Sequence, residues 1–258
     1  MRFFSNKKRP VHMGSYPTEL LKRGPMPDLN KVPSMEAISF HRPGAPESIV
    51  NAMCEYQAML DAIRDGFINK AKGEIPTDEL ERTNHLKAFG YFSDAAMVGV
   101  CSISESNILS RPIKNPHIAP LAEALRTRQT KTLASGIDMI MADLKESMEA
   151  PPTTIGGHTH AIVFLYENPR EIKTNEPGTD WLNNALKHRA CLRANETSAV
   201  IANYIRLLGY DAKSHSGAAS DVDLNQLAVA AGLAWVHNGE LVAPYVGCLL
   251  YTSDAADE

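Results

Sequence analysis

Cysteine is scarce in this chain, and its scarcity excludes two architectures. Cys54, Cys101, Cys191 and Cys248 are the only four in 258 residues, and no two stand in a C-x-x-C pair. A disulfide framework needs closer, paired spacing, and an iron–sulfur cluster needs four thiolates, typically in a C-x₂-C-x₂-C-x₃-C-P run. Buried free thiols are the expectation. Long apolar runs are also missing, and none approaches the roughly 20 residues of a membrane span. The opening Met1-Arg-Phe-Phe-Ser-Asn-Lys-Lys-Arg-Pro10 has neither the apolar centre of a signal peptide nor a twin-arginine signal, so cytoplasmic residence is expected. Nor is there a basic patch. The formal net charge is −4, to which Asp254, Asp257 and Glu258 contribute three units. Neither nucleic acid nor a membrane is therefore an expected partner. Internal repeats and low-complexity tracts are absent.

What is present reads as an ordinary globular protein: 44% hydrophobic and 22% charged residues, enough for a substantial core. Residues 1–45 carry Pro10, Pro17, Pro25, Pro27, Pro33 and Pro43 and read as an extended arm that wraps its own domain or reaches a partner. Residues 46–247 form one module. Pro46–Lys70 predicts a helix with Ile49, Met53, Tyr56, Met59, Leu60 and Ile63 on one face. Asp78–Phe89 predicts a second. Met97–Ile103 predicts a strand, and Ile118–Met148 two helices, the latter with Leu133, Ile137, Ile140, Met141 and Leu144. Pro151-Pro152 ends that helix. His160–Tyr166 is the best candidate for a buried strand. A helical pattern runs from Trp181 to Leu208, with a break expected near Asn195, and Gly209 occupies the usual left-handed closing position. Ala212–Ser216 predicts a strand, Val222–Ala231 a helix and Leu233–Val242 an extended piece. Helices interleaved with fewer strands imply a mixed, layered α+β domain.

Residues 248–258, Cys248-Leu-Leu-Tyr-Thr-Ser-Asp-Ala-Ala-Asp-Glu258, read differently. They back-translate in a single frame into the read-through of a transposase-based sequencing adapter. The expectation is a non-native tail on a metagenomic gene fragment whose genuine sequence stops near Gly247, and such scars are set aside before fold reasoning.

One ordered set of motifs carries a resemblance. Thr197-Ser-Ala-Val-Ile-Ala-Asn-Tyr-Ile-Arg-Leu-Leu-Gly-Tyr-Asp-Ala-Lys-Ser-His215 presents Val200, Ile201, Tyr204, Ile205 and Leu208 on one helix face, then a Gly-Tyr turn. Ser216-Gly217 follows, then Ala231-Gly-Leu-Ala-Trp-Val-His-Asn-Gly239 and Leu241-Val-Ala-Pro-Tyr-Val-Gly247. This order resembles the corrinoid-binding domain of reductive dehalogenases and, more distantly, epoxyqueuosine reductases acting on modified transfer RNA. Arg9-Pro-Val-His-Met-Gly-Ser-Tyr-Pro17 is similar to the opening of the cytoplasmic, catabolic dehalogenases. The resemblance implies a nitroreductase-like α+β fold. It also implies an enzyme with cobalamin and two [4Fe–4S] clusters that removes halide from an organohalide, a tyrosine with a nearby basic residue delivering the proton.

This chain departs from that pattern in several places. Cluster cysteine runs are absent, and no tyrosine lies between Tyr166 and Tyr204 to partner Lys187, His188, Arg189 or Arg193. Ala234 replaces the last glycine of the family's "AGLG". Because catabolic dehalogenases resemble a tandem of two such modules, the first degenerate, the expectation is a structural N-terminal module. It would be inactive alone, with the remaining C-terminal module of the same polypeptide, or a second copy in a homodimer, as its partner. A non-catalytic scaffold or an epoxyqueuosine-reductase-like enzyme are the alternatives.

The candidate cofactor-binding residues are Tyr210, Lys213, His215, Ser216, Gly217 and Ser220. Amides and hydroxyls in this small polar loop could meet a phosphate or amide group of a nucleotide-like cofactor. Ser220 could instead cap a helix starting near Val222, with Asp221 and Asp223 at its positive end. His158 and His160 share a face of an extended chain, but no third metal ligand accompanies them and the D-x-H-x-x-G pattern is absent. Glu79, Glu81, Asp143, Glu146 and Glu149 read as solvated faces, and Trp181 and Trp235 as core or interface residues.

Overall fold

Ser48 opens the first long helix by accepting a hydrogen bond from the Val50 amide, and α1 runs Ile49–Ala62. The computed structural model describes residues 8–22, 24–25, 27–38, 44–45, 48–128, 155–170, 172–182 and 185–248. The face of α1 that packs is Val50, Cys54, Ala58 and Asp61, while Ile49, Tyr56 and Met59 of the expected apolar face are exposed. Small side chains at Cys54 and Ala58 let α1 approach its neighbour closely, and Val50 and Cys54 cluster with Ala185. The helix stops before the expected Lys70. The chain beyond it is drawn across another helix end instead, through Asn69 N to Arg206 O at 3.0 Å and Gly73 N to Leu208 O at 2.9 Å.

Asp78 caps α2, Glu79–Phe92, through the Glu81 amide. Gly90 lets this helix lie on a two-stranded antiparallel ribbon, since a Cβ there would stand 2.7 Å from Phe164 and 2.8 Å from Val98. The ribbon pairs β1, Met97–Ser102, with a later strand, His160–Leu165, placing Met97 opposite Leu165. Between them come β2, Ile108–Ile113, and α3, Ile118–Arg128. The helix expected around Leu133–Leu144 and the Pro151-Pro152 stop lie outside the described residues. In β3, as His160–Leu165 is numbered here, only Leu165 is fully buried, whereas β1 is buried at Met97, Val98, Gly99 and Cys101. The strand expected to be best buried instead borders a cavity.

The pattern from Trp181 onward divides into α4, Thr179–Leu182, and α5, Leu186–Leu207. Helix α5 passes Asn195 without a break, because that amide donates to a carboxylate and does not compete with the backbone. Of the expected face, Ile201 is fully buried, while Val200 and Tyr204 are half exposed. Gly209 closes the helix at φ +83°, and a Cβ there would lie 2.5 Å from the Ala71 carbonyl oxygen. Gly209→Ala combines a disfavoured backbone with a clash and is expected to cost roughly 2 kcal/mol in urea unfolding. Unchanged stability would contradict this packing.

Ala212–Ser216 forms no strand, since Ser214 N is engaged by Arg64 O and Ala212 O by the Arg206 guanidinium. Then β4, Ser220–Val222, pairs antiparallel with β2. Helix α6, Leu224–Ala230, starts later than expected, and its cap is Asp223, which accepts from the Asn225 and Gln226 amides. Ser220 Oγ donates to Val222 O at 2.6 Å. The expected extended piece is a hairpin of β5, Trp235–His237, and β6, Glu240–Ala243, joined by Asn238 and Gly239 at φ 52° and 85°. Two left-handed residues in a two-residue loop match the strand twist, which is why Asn-Gly forms it. Strand β7, Gly247–Cys248, adds to β6, so the first residue of the suspected tail pairs with Val242; residues 249–258 lie outside the described set.

Mixed helices and small sheets thus enclose a core of Met97, Cys101, Leu165, Val222, Leu227 and Leu241. The described part of the proline-bearing segment lies along this domain and contains three short 3-10 turns, Val11–Met13, Thr18–Leu20 and Leu29–Lys31. Gly14 packs under the Tyr91 ring, Tyr16 stacks on Tyr245 at 5.1 Å, and Met35 N donates to Asp223 Oδ2 at 3.1 Å. Trp181 and Trp235 are exposed and belong to no core.

Candidate functional site

A carboxylate on the packed face of α1 organises the centre of the molecule. Asp61 is 2% exposed and accepts from Asn195 Nδ2, Ser216 Oγ and Asn115 Nδ2 at 2.8 Å each, and from Gln57 Nε2 at 3.2 Å. These donors come from α5, from the loop after Gly209, from the turn before α3 and from α1 itself. Burial raises the Asp61 pKa, and the four hydrogen bonds only partly offset it. Ser216, a candidate cofactor contact, is thus engaged by this hub.

Next to it lies a buried ionic cluster. Lys213 Nζ, its side chain 3% exposed, stands 2.7 Å from Asp221 Oδ2 and 3.5 Å from Asp65 Oδ2, and Arg64 Nη2 is 2.9 Å from Asp221 Oδ1. Burial works against the Asp221 charge, but the hydrogen bonds from Lys213 and Arg64 outweigh it and hold the carboxyl below its ordinary range. His215 Nδ1 accepts from the Asp221 amide at 3.3 Å. Burial, then the positive charge of Arg64, pushes His215 down to about 3, so it is a neutral acceptor at physiological pH.

The remaining candidates have separate surroundings. Tyr210 sits under Lys72, whose Nζ is 5.2 Å from the ring centroid. A Cβ on Gly217 would meet Ile38 at 2.5 Å, and Ser220 bonds its own strand. His158 pairs with Asp211 at 3.1 Å, and His160 Nδ1 bonds Thr159 Oγ1. No group of three or more His, Cys, Asp or Glu among the described residues could hold a metal ion. Burial pushes Cys101 and Cys191 up to about 11, so both are protonated thiols at neutral pH.

Two features lay beyond reach of the motifs. The first is the pair of polar networks around Asp61 and Asp221. Its one sequence signal is Asp61 itself, an acid in helical register with Val50, Cys54 and Ala58. The second is Tyr166, whose hydroxyl donates to Ser93 O at 2.7 Å and lies 2.5 Å from Thr197 Oγ1. Burial raises its pKa despite the Thr197 bond, and Arg193 is bound to Asp94 at 2.5 Å. Between β3 and α5 lies a cavity of about 240 Å³, bordered also by the 211–217 loop and α6. No described helix is long and apolar enough to cross a membrane.

No protein-family model matches the chain, and no curated protein matches its sequence. Solved structures do. N-terminally tagged catabolic reductive dehalogenase NpRdhA matches with TM-score 0.67 and 28% identity, over 96% of this chain and 30% of that one. The same enzyme in complex with 3-bromo-4-hydroxybenzoic acid matches with TM-score 0.68, 28% identity and the same coverage. A reductive dehalogenase structure reported with a mechanism for B12-dependent dehalogenation also matches, with TM-score 0.68 and 28% identity over 96% of this chain and 29% of that one. The chain therefore spans less than a third of the length of the dehalogenases it matches. Fold and residue identity over nearly its whole length together support membership of the reductive dehalogenase family.

Proposed function

We propose that this chain is a structural, corrinoid-domain-like module of a cytoplasmic reductive dehalogenase and is not catalytic alone. The complete enzyme would remove halide from an organohalide using cobalamin and two [4Fe–4S] clusters. One observation carries the non-catalytic reading: the loop expected to meet a cofactor spends its side chains on internal partners. Lys213 is held by Asp221 and Asp65, Ser216 by Asp61, Ser220 by Val222 O, and His215 by the Asp221 amide. Size points the same way. Pockets for drug-sized ligands span roughly 300–1,000 Å³, a corrinoid is larger still, and the cavity beside this loop is about 240 Å³. The residues present do not fit the group. Tyr166, the phenol nearest before Tyr204, has its hydroxyl engaged internally by Ser93 O and Thr197 Oγ1.

The supporting surface is visible on α5, where Val200, Tyr204 and Leu207 form an exposed apolar stripe at helical spacing. In this reading the stripe docks the remaining C-terminal module of the polypeptide; in the scaffold alternative it docks a second copy. Titrating the purified chain with hydroxocobalamin should leave the corrinoid absorption spectrum unchanged. A saturable spectral shift would overturn the non-catalytic reading.

A further inference from the structure

Helix α5 borders the cavity with Cys191, Ala194, Asn195, Ser198, Ala202 and Ile205, a row at helical spacing. Its middle positions, Ala194, Ser198 and Ala202, are too short to fill the space toward β3, whose Ala161–Phe164 form the facing wall. The sequence of one helix face thus creates the cavity. Three buried side chains in its lining each leave a polar atom without a partner among the described residues: Asn195 Oδ1, Ser214 Oγ and Asn225 Oδ1. These residues are 1%, 3% and 5% exposed. The amide orientations are set by Asn195 Nδ2 donating to Asp61 at 2.8 Å and Asn225 Nδ2 to Pro33 O at 3.1 Å. Both leftover atoms are therefore acceptors. Buried polar atoms are normally paired, and the exceptions call for a partner.

We infer that this cavity is a binding site for a compact, uncharged molecule with an apolar body and a hydrogen-bond donor. A cavity of roughly 150 Å³ accepts benzene, so about 240 Å³ holds a substituted ring. The apolar body would lie against Ile162, Phe164 and Ile201, and the donor would meet an orphaned amide oxygen of Asn195 or Asn225. Anions are excluded: the unpaired amide oxygens of the lining would repel them, and its basic side chains are taken, Lys213 by Asp221 and Asp65 and His158 by Asp211. Cations would lose their hydration against apolar walls.

The test is calorimetric titration of the purified chain with phenol, toluene and benzoate, and it does not depend on whether the chain takes up a corrinoid. Phenol should bind saturably, toluene roughly tenfold more weakly for want of a donor, and benzoate not at all. Ala202→Leu and Ser198→Leu, each checked for folding by thermal melting, should abolish phenol binding by filling the space. Three results would overturn the inference. They are no saturable heat with phenol, which leaves the cavity to ordered water, toluene or benzoate binding as well as phenol, or undiminished phenol binding in a folded filled variant. Should neither variant fold, the order of the three ligands on the unaltered chain decides.

Discussion

Asp61→Ala is expected to destabilise the chain by about 4 kcal/mol, a large share of the roughly 5–15 kcal/mol that holds a domain folded. The variant strands buried donors from Asn195, Ser216 and Asn115, each costing about 1–3 kcal/mol when left unpaired. Urea unfolding followed by circular dichroism measures it, and a loss under 1 kcal/mol would remove Asp61 from the centre of the fold. The pH dependence supplies a second readout. Burial raises the folded-state pKa of Asp61 above its ordinary 3.8. Its contribution is therefore fully present below that value and declines as pH rises through the raised one. Asp61→Ala should abolish this component of the slope.

The Lys213 cluster predicts the opposite slope. Lys213→Met removes one of two cations facing Asp221 and should cost about 3 kcal/mol, because the buried carboxylate is then left with Arg64 alone to balance it. The pH dependence comes from His215. Its folded pKa, about 3, lies below the ordinary 6.5, so the stabilisation is complete above 6.5 and is lost as pH falls from there through about 3. Asp221, also depressed, adds to the loss at the acid end. His215→Asn, which keeps an acceptor for the Asp221 amide but does not titrate, should flatten the limb between those values. Unfolding midpoints measured across that range decide it. An unchanged acid limb in His215→Asn would show that His215 does not carry it.

Helix closure and periodicity were legible in the sequence because they act over a few residues. Helix α2 lies within a few positions of the expected Asp78–Phe89, Gly209 stops α5 in the left-handed region, and Met97–Ser102 forms a strand within the span its apolar run predicts. The ordered motifs after Thr197 pointed to the dehalogenase resemblance that the solved structures support. Which face of a helix packs was not legible. In α1 the larger apolar residues lie outward and Asp61 inward, and in α5 the buried set includes His188, Asn195, Thr197 and Arg206. Periodicity assumes that apolar residues bury themselves against an apolar neighbour. Here α1 buries one acid among small side chains, and Asn195 of α5 meets it.

Ser220 shows the same limit at a single residue. A hydroxyl before a helical pattern is a sound capping signal, yet Asp223 caps α6 because β4 carries Ser220 into pairing with β2. By itself the sequence determined what short-range physics controls: the α+β class, the strands at Met97–Ser102 and His160–Leu165, and the closure of α5 at Gly209. Tertiary structure alone decided that Asp61, Asn195 and Ser216 meet, that Lys213 reaches Asp221, and that short side chains on α5 leave a cavity beside β3. Asp61 with its partners, and β3 with α5, join positions far apart along the chain, and even the short step from Lys213 to Asp221 is set by long-range contacts whose register no local pattern encodes.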